Sequence, residues 1–304
     1  MTRCGRRSIV AMAVGALVGS GALVIGPTSP VIASGSPHRY WAASANDVTG
    51  TKTVTVSCPG LGRVYGAGAM TVGGGGGVVL NEMRPDPGLT SVTVTATART
   101  GYQPAWSIVA HATCDVSAAP PMLVTATAHV FDEAEATCPG QTRLFGTGFR
   151  IQGGVDHSFV DAVAFDVNLR KVRVHAGGTG TPQSVTAYAI CKDPSPPTGS
   201  SGARVTATST VDPIWPKAAT VTGTTLGGRM FGVGAVVESS GEAFLSALVP
   251  FVAQNSALAV AVRASPLPPA IAQGGPLAAP LAGGSLASDL GSVTVYGTEA
   301  GTFH

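Results

Sequence analysis

The sequence predicts an all-β fold of three tandem, sandwich- or prism-like modules, and three observations carry that prediction. Runs of five to eight residues alternate Val and Thr with period two. Glycine clusters, such as Gly73 to Gly77 and the Gly177-Gly178-Thr179-Gly180 stretch, separate those runs. The same blocks then recur in the same order along the 304-residue chain. Alternating β-branched residues suit a strand with one buried face. Turns at short spacing without a sustained helical period suit a sandwich or barrel-like unit.

The first recurring block is Cys58-Pro-Gly-Leu-Gly-Arg-Val-Tyr-Gly-Ala-Gly68, matched by Cys138-Pro-Gly-Gln-Thr-Arg-Leu-Phe-Gly-Thr-Gly148 and, in part, by Arg229-Met-Phe-Gly-Val-Gly234. The aligned Arg63, Arg143 and Arg229 lie 80 and 86 residues apart. Its Gly-x-Gly predicts a bulge or the close approach of a neighbouring strand or ring. The second block is Val92 to Ala96, aligned with Val172 to Ala176 and with Val260 to Ala264. The closing block runs Ser107 to Cys114, Ser184 to Cys191 and Ser292 to Glu299. A lead-in strand also repeats, as Val124 to Ala128 and Val205 to Ser209. Phe244 to Phe251 has the look of a short helix, but its alignment with Phe159 to Phe165 predicts a strand, with Pro250 marking an edge or kink.

The N-terminus predicts the compartment. Arg3, Arg6 and Arg7 precede an uncharged, weakly apolar run, and Val31-Ile32-Ala33 offers small residues before a cut. That is the layout of a secretory signal peptide cleaved after Ala33; the Arg pair also fits a twin-arginine signal. The domain reading is therefore a signal peptide over 1–33, module one with its lead-in over 34–119, module two over 120–200 and module three over 201–304. An insertion rich in Pro, Ala and Gly occupies 264–284 of the third. Closure of the modules around a pseudo-three-fold axis is favoured over beads on a string, because the linkers are short.

Of five cysteines, Cys4 leaves with the signal peptide, and four remain in an oxidising compartment. The repeat selects Cys58–Cys114 and Cys138–Cys191, each within one module. Either bridge closes a loop of about 55 residues, worth about 4 kcal/mol in the loop-entropy model. A zinc site is disfavoured because no Cys-x-x-Cys occurs. The third copy has Thr224 or a neighbour at the first cysteine position and Glu299 at the second.

Charged residues make up 11% of the chain with a net charge of +2, so no basic surface for nucleic acid is expected. The densest polar cluster is Asp156-His157-Ser158 with Asp161 and Asp166, able in principle to hold a cation or do acid–base work. Gly-Gly-Val-Asp-His-Ser reads more simply as a hairpin tip, and the other two copies lack these residues. His111 and His175 sit in strands, as packed histidines commonly do. The glycine run at 73–77 has no Lys-Ser/Thr after it and reads as a flexible hairpin tip. Trp41, Trp106 and Trp215 are candidate sugar-stacking platforms, against the commoner role of core packing. The candidate binding residues are thus Asp156, His157, Asp161 and Trp106. No catalytic group, metal site or cofactor is expected.

These Cys-Pro-Gly, Gly-x-Gly and Ala-Tyr-Ala-x-Cys motifs, at Cys58 to Gly60, Gly66, Gly68 and Cys114 and again at Cys138 to Gly140, Gly146, Gly148, Ala187 to Ala189 and Cys191, resemble the modules of secreted actinobacterial repeat proteins, a family that brings no activity with it. A fainter similarity is to vitelline-membrane outer-layer proteins, whose three repeats form a β-prism; it implies three-fold packing. The resulting expectation is a secreted, non-enzymatic structural or adhesive protein. A carbohydrate- or cell-wall-binding module is the alternative, and a hydrolase using Asp156, His157, Asp161 or His175 is less favoured. The expected partners are a cell-wall glycan or another surface protein, with no nucleic acid and no membrane span after cleavage.

Overall fold

The computed structural model describes residues 37–116, 119–129, 133–154, 158–178, 180, 182–194, 202–224, 228–239, 242–264 and 290–300. The signal-peptide reading, Cys4, Asp156, His157 and all but the first residue of the insertion lie outside them. Ala33–His304 forms one compact unit.

The first repeat supplies six strands: β1 (His38–Ala43), β2 (Thr51–Ser57), β3 (Arg63–Val72), β4 (Val78–Pro85), β5 (Ser91–Ala98) and β6 (Ser107–Asp115). The second supplies β7 (Met122–His129), β8 (Glu133–Thr137), β9 (Arg143–Gln152), β10 (Ser158–Phe165), β11 (Lys171–Gly178) and β12 (Ser184–Lys192). The third supplies β13 (Ala203–Thr208), β14 (Lys217–Thr222), β15 (Arg229–Ser239), β16 (Ala243–Phe251), β17 (Ser256–Arg263) and β18 (Gly291–Ala300). Within each repeat the strands make two three-stranded antiparallel leaves, β1-β6-β3 and β4-β5-β2 in the first, that face one another as a small sandwich. Period-two patterning turns Val92, Val94 and Ala96 of one leaf inward against Ile108, Ala110 and Ala112 of the other, all fully buried. The many inward alanines let the leaves approach closely.

No leaf ends at its own repeat. The three sheets run β1-β6-β3-β16-β17-β14, β7-β12-β9-β4-β5-β2 and β13-β18-β15-β10-β11-β8. Each therefore joins one leaf of one repeat to one leaf of another, in a cyclic exchange that closes the three sandwiches around a pseudo-three-fold axis. Every seam is short, two residue pairs each: Met70 and Ala69 with Ala247 and Leu248, Arg150 and Phe149 with Glu82 and Met83, and Val236 and Ala235 with Ala162 and Val163.

The Gly-x-Gly motif makes this closure. Tyr65, Phe145 and Phe231 are each skipped in the pairing of their strand, so each is the extra residue of a β-bulge. The bulges turn the three rings onto one another, with centroids 5.5 to 6.2 Å apart. The glycine after each ring presses against the backbone of the next repeat: Gly66 on the Phe231 carbonyl, Gly146 on that of Tyr65, Gly232 on that of Phe145. A Cβ at any of the three has no room. A second cluster of equivalent residues, Val79, Phe159 and Phe244, also joins the three repeats.

Both expected disulfides are present, with Cα–Cα distances of 5.7 Å for Cys58–Cys114 and 5.6 Å for Cys138–Cys191. Each pins one leaf of its sandwich to the other. In the third repeat the register puts Gly223 at the first cysteine position: its N–H donates to the Asn255 carbonyl as those of Cys58 and Cys138 donate to Thr90 and Arg170. Glu299 replaces the second cysteine. It is fully buried and accepts from the Thr224 N–H at 2.9 Å and from Asn255 Nδ2 at 2.7 Å.

Three expectations need correction. The repeat equivalent to Val92–Ala96 is Ala257–Ala261, three residues before the block chosen from sequence, because Leu245 pairs with Ala261 as Leu80 pairs with Ala96. Pro250 lies in an interior strand, in register with Ala257 of β17 at a point where β16 has already left β3 after Leu248. The glycine run is not a loose tip: Gly75–Gly77 forms a 3₁₀ turn with Gly77 under the Tyr102 ring, and the Tyr102 hydroxyl donates to the Gly73 carbonyl at 2.7 Å.

Candidate functional site

Comparing the three seams inside one molecule isolates a place where chemistry departs from scaffold. On the outward side of each sheet, a row of residues crosses from the lead-in strand to the seam. In one sheet the row is Thr125, Tyr188 and Gly148, ending on Pro85. In another it is Thr206, Tyr296 and Gly234, ending on Phe165. The glycine lets the seam backbone and the Pro or Phe side chain stand where its Cβ would go. Tyrosine packs beside that contact in both. Tyr188 is buried, and Tyr296 lies 6.0 Å from the Phe165 ring with the Arg204 guanidinium 5.3 Å above it.

The third row reads Trp41, His111, Gly68 and Pro250. Histidine has replaced the tyrosine, and tryptophan has replaced the exposed threonine. His111 is 6% exposed and neither ring nitrogen has a hydrogen-bond partner. Two residues on, along the same face of β6, Thr113 is fully buried and its hydroxyl is also unpaired. Arg39, opposite Thr113, carries its guanidinium to 4.6 Å from the Phe251 ring. Burial and the nearby Arg39 charge push the His111 imidazole down to about 4, so the ring is neutral. Burial also lowers the Arg39 guanidinium from its ordinary value. Trp41 stands at the end of this row, 61% exposed.

The other candidates take different places. Trp106 is fully buried in the core, with the Lys52 ammonium 4.9 Å from its ring and that ammonium paired to Asp47 at 2.6 Å. Its ring therefore offers no face to a ligand arriving from solvent. Asp161 is the extra residue of a second bulge, where the other repeats carry Asn81 and Ser246. It meets His175 Nδ1 at 2.6 Å, a pairing not read from sequence. Asp166 spends one carboxylate oxygen on the N–H groups of Arg170 and Lys171, as Asp86 does on Thr90 and Ser91, so it is a turn residue. A depression of about 290 Å³ is lined by Glu135, Ala164, Phe165, Asp166, Lys171 and Arg173; its charges are paired, Lys171 with Glu135 at 2.7 Å. Among the described residues no group of three His, Cys, Asp or Glu is placed to hold a metal. No helix there is long and apolar enough to cross a membrane.

The chain matches no family model and no curated protein.

The three outward faces thus differ while the scaffold repeats. One carries a threonine ladder, with Thr53–Thr95 and Thr55–Thr93 hydroxyls 3.1 and 2.9 Å apart. One carries interleaved Lys171, Arg173, Glu133 and Glu135. One carries the exposed Trp41 beside the buried His111. Sequence reasoning named Trp41 but had no signal to separate it from Trp106.

Proposed function

We propose that the protein acts outside the cell as a non-catalytic adhesive or structural protein, exported behind the 1–33 signal and retained at the cell surface. The observation that carries this reading is a disulfide-pinned, closed scaffold that presents three chemically different faces on one repeated frame. Two bridges that each join opposed leaves suit an oxidising compartment. A body whose every sheet spans two repeats is stiff, and a stiff frame lowers the ordering cost of holding a partner.

Fractionation of the producing cell tests the proposal. The expected result is a mature chain beginning at Ser34, with no free thiols, enriched in the wall and medium fractions. A full-length reduced chain in the cytoplasm overturns it.

A further inference from the structure

We infer that the outward face of the β1-β6-β3-β16-β17-β14 sheet is a dimer interface, on which a second copy of this chain packs face to face about a two-fold axis. The inference goes beyond the proposed function and does not depend on it.

One row of residues carries the argument. At the register of the seam, strand pairing lines up six outward positions straight across each sheet. In the β7-β12-β9-β4-β5-β2 sheet they are Thr127, Thr186, Arg150, Glu82, Thr95 and Thr53. In the β13-β18-β15-β10-β11-β8 sheet they are Thr208, Thr294, Val236, Ala162, His175 and Glu133. In the remaining sheet they are Ala43, Val109, Met70, Ala247, Val260 and Ala218. The same frame accepts a fully polar row and a fully apolar one, so folding does not demand the apolar one. Ala247 is buried among its neighbours, but Val109, Met70 and Val260 are half-buried and Ala43 and Ala218 are exposed. The rows on either side extend the apolar surface with half-buried Leu258 and with Trp41 and Val72, 61% and 44% exposed. An apolar face continued across six strands and left in water marks a contact with another molecule.

A second copy fits this face in size and in shape. Six strands at ~4.8 Å span about 29 Å, and three outward rows at ~6.7 Å span about 20 Å. That surface, on the order of 600 Å² before side-chain relief, comes near the roughly 800 Å² per partner of a standard interface. A two-fold axis running along the strands between β3 and β16 lays β1 of one copy on β14 of the other. The protruding Trp41 of one edge then meets the small Ala218 and Thr220 of the opposite edge, and the symmetry makes that contact twice. Two antiparallel sheets packed in this way repeat the contact that each repeat already makes between its own leaves. The central row brings no charge against its symmetry mate, whereas either of the other two faces would bury carboxylates.

Sedimentation velocity of the mature, oxidised chain from about 1 to about 100 μM tests the inference. Wild type is expected to pass from monomer to dimer across that range, with tryptophan emission moving to the blue as Trp41 is covered. Scattering extrapolated to infinite dilution should return a single copy. Met70→Arg with Ala247→Glu installs the Arg150 and Glu82 of the neighbouring sheet at the same two positions. That double variant should keep the wild-type circular dichroism and associate at least about ten-fold more weakly. Trp41→Thr, the residue found at Thr125 and Thr206, should weaken association several-fold, and Thr53→Ala on the threonine face should leave it unchanged. Wild type that stays monomeric at the highest concentration overturns the inference, as does wild-type association in either the folded double variant or Trp41→Thr. Monomeric wild type that instead floats with phosphatidylcholine–phosphatidylglycerol vesicles would assign the face to a lipid surface and equally overturn it.

Discussion

At the scale of single residues, His111 shows how a tertiary contact sets chemistry that its neighbours in sequence do not reveal. The run Ile108 to Thr113 reads as a strand, and a histidine in it reads as ordinary. Its burial comes from the opposite end of the chain, where Pro250 and Phe251 close over the seam. The consequence is a pH dependence with a definite sign. The imidazole titrates near 6.5 in the unfolded chain and at about 4 when folded. Below pH ~6.5 the unfolded chain takes up a proton that the folded protein refuses, so stability falls as pH drops and levels off below pH ~4. The gap corresponds to roughly 3 kcal/mol. Urea unfolding of wild type and His111→Phe at pH 7.5 and pH 4.5 checks this: the variant should lose less stability between the two. An equal loss would show that other groups carry the acid sensitivity.

At the scale of elements, the third repeat keeps the geometry of a staple without its chemistry. Gly223 and Glu299 occupy the two cysteine positions, and the Glu299 carboxylate holds Thr224 and Asn255 by hydrogen bonds where the other repeats have sulfur. Introducing Gly223→Cys together with Glu299→Cys should therefore produce a third bridge. It would stabilise by up to about 4 kcal/mol by loop entropy, seen as a raised unfolding temperature that dithiothreitol reverses. Glu299→Leu alone should destabilise by about 1–3 kcal/mol, since buried donors lose their acceptor. Free thiols persisting in the double variant would refute the equivalence. Much at this scale was legible. The Val and Thr alternation marked the strands, the repeat selected both bridges, and alignment with Phe159 to Phe165 made β16 a strand. The register of β17 was not legible, because Ala-Val alternation in Ala257 to Ala264 matches itself after a shift, and only pairing with Leu245 fixes it. Trp41 and Trp106 were likewise equivalent in sequence, since only the fold places Trp106 in the core and leaves Trp41 exposed.

At the scale of the whole molecule, the exchange of leaves left no mark in the sequence. β4, β10 and β16 are alike enough to pair with any of β3, β9 and β15, and what selects the neighbour is the geometry at the axis. Each seam contributes only two residue pairs, so closure rests on the glycine contacts, the three converging rings and the Val79, Phe159 and Phe244 cluster. Wild type should then unfold in one cooperative calorimetric transition, since no sheet belongs to a single repeat, with a solution radius of gyration of about 18–19 Å. Gly146 is the most direct test. A Cβ at Gly146 would collide with the Tyr65 carbonyl and the Gly66 Cα of the neighbouring repeat, so Gly146→Val must push two repeats apart. Each sandwich keeps its own inward Val and Ala core and, in two cases, its disulfide. The variant should therefore lose closure before it loses secondary structure. Its scattering radius should grow and its single transition should divide, while the strand signal in circular dichroism persists. A Gly146→Val protein that keeps the wild-type radius and one sharp transition would mean that the seams, short as they are, hold the three repeats together without the axis.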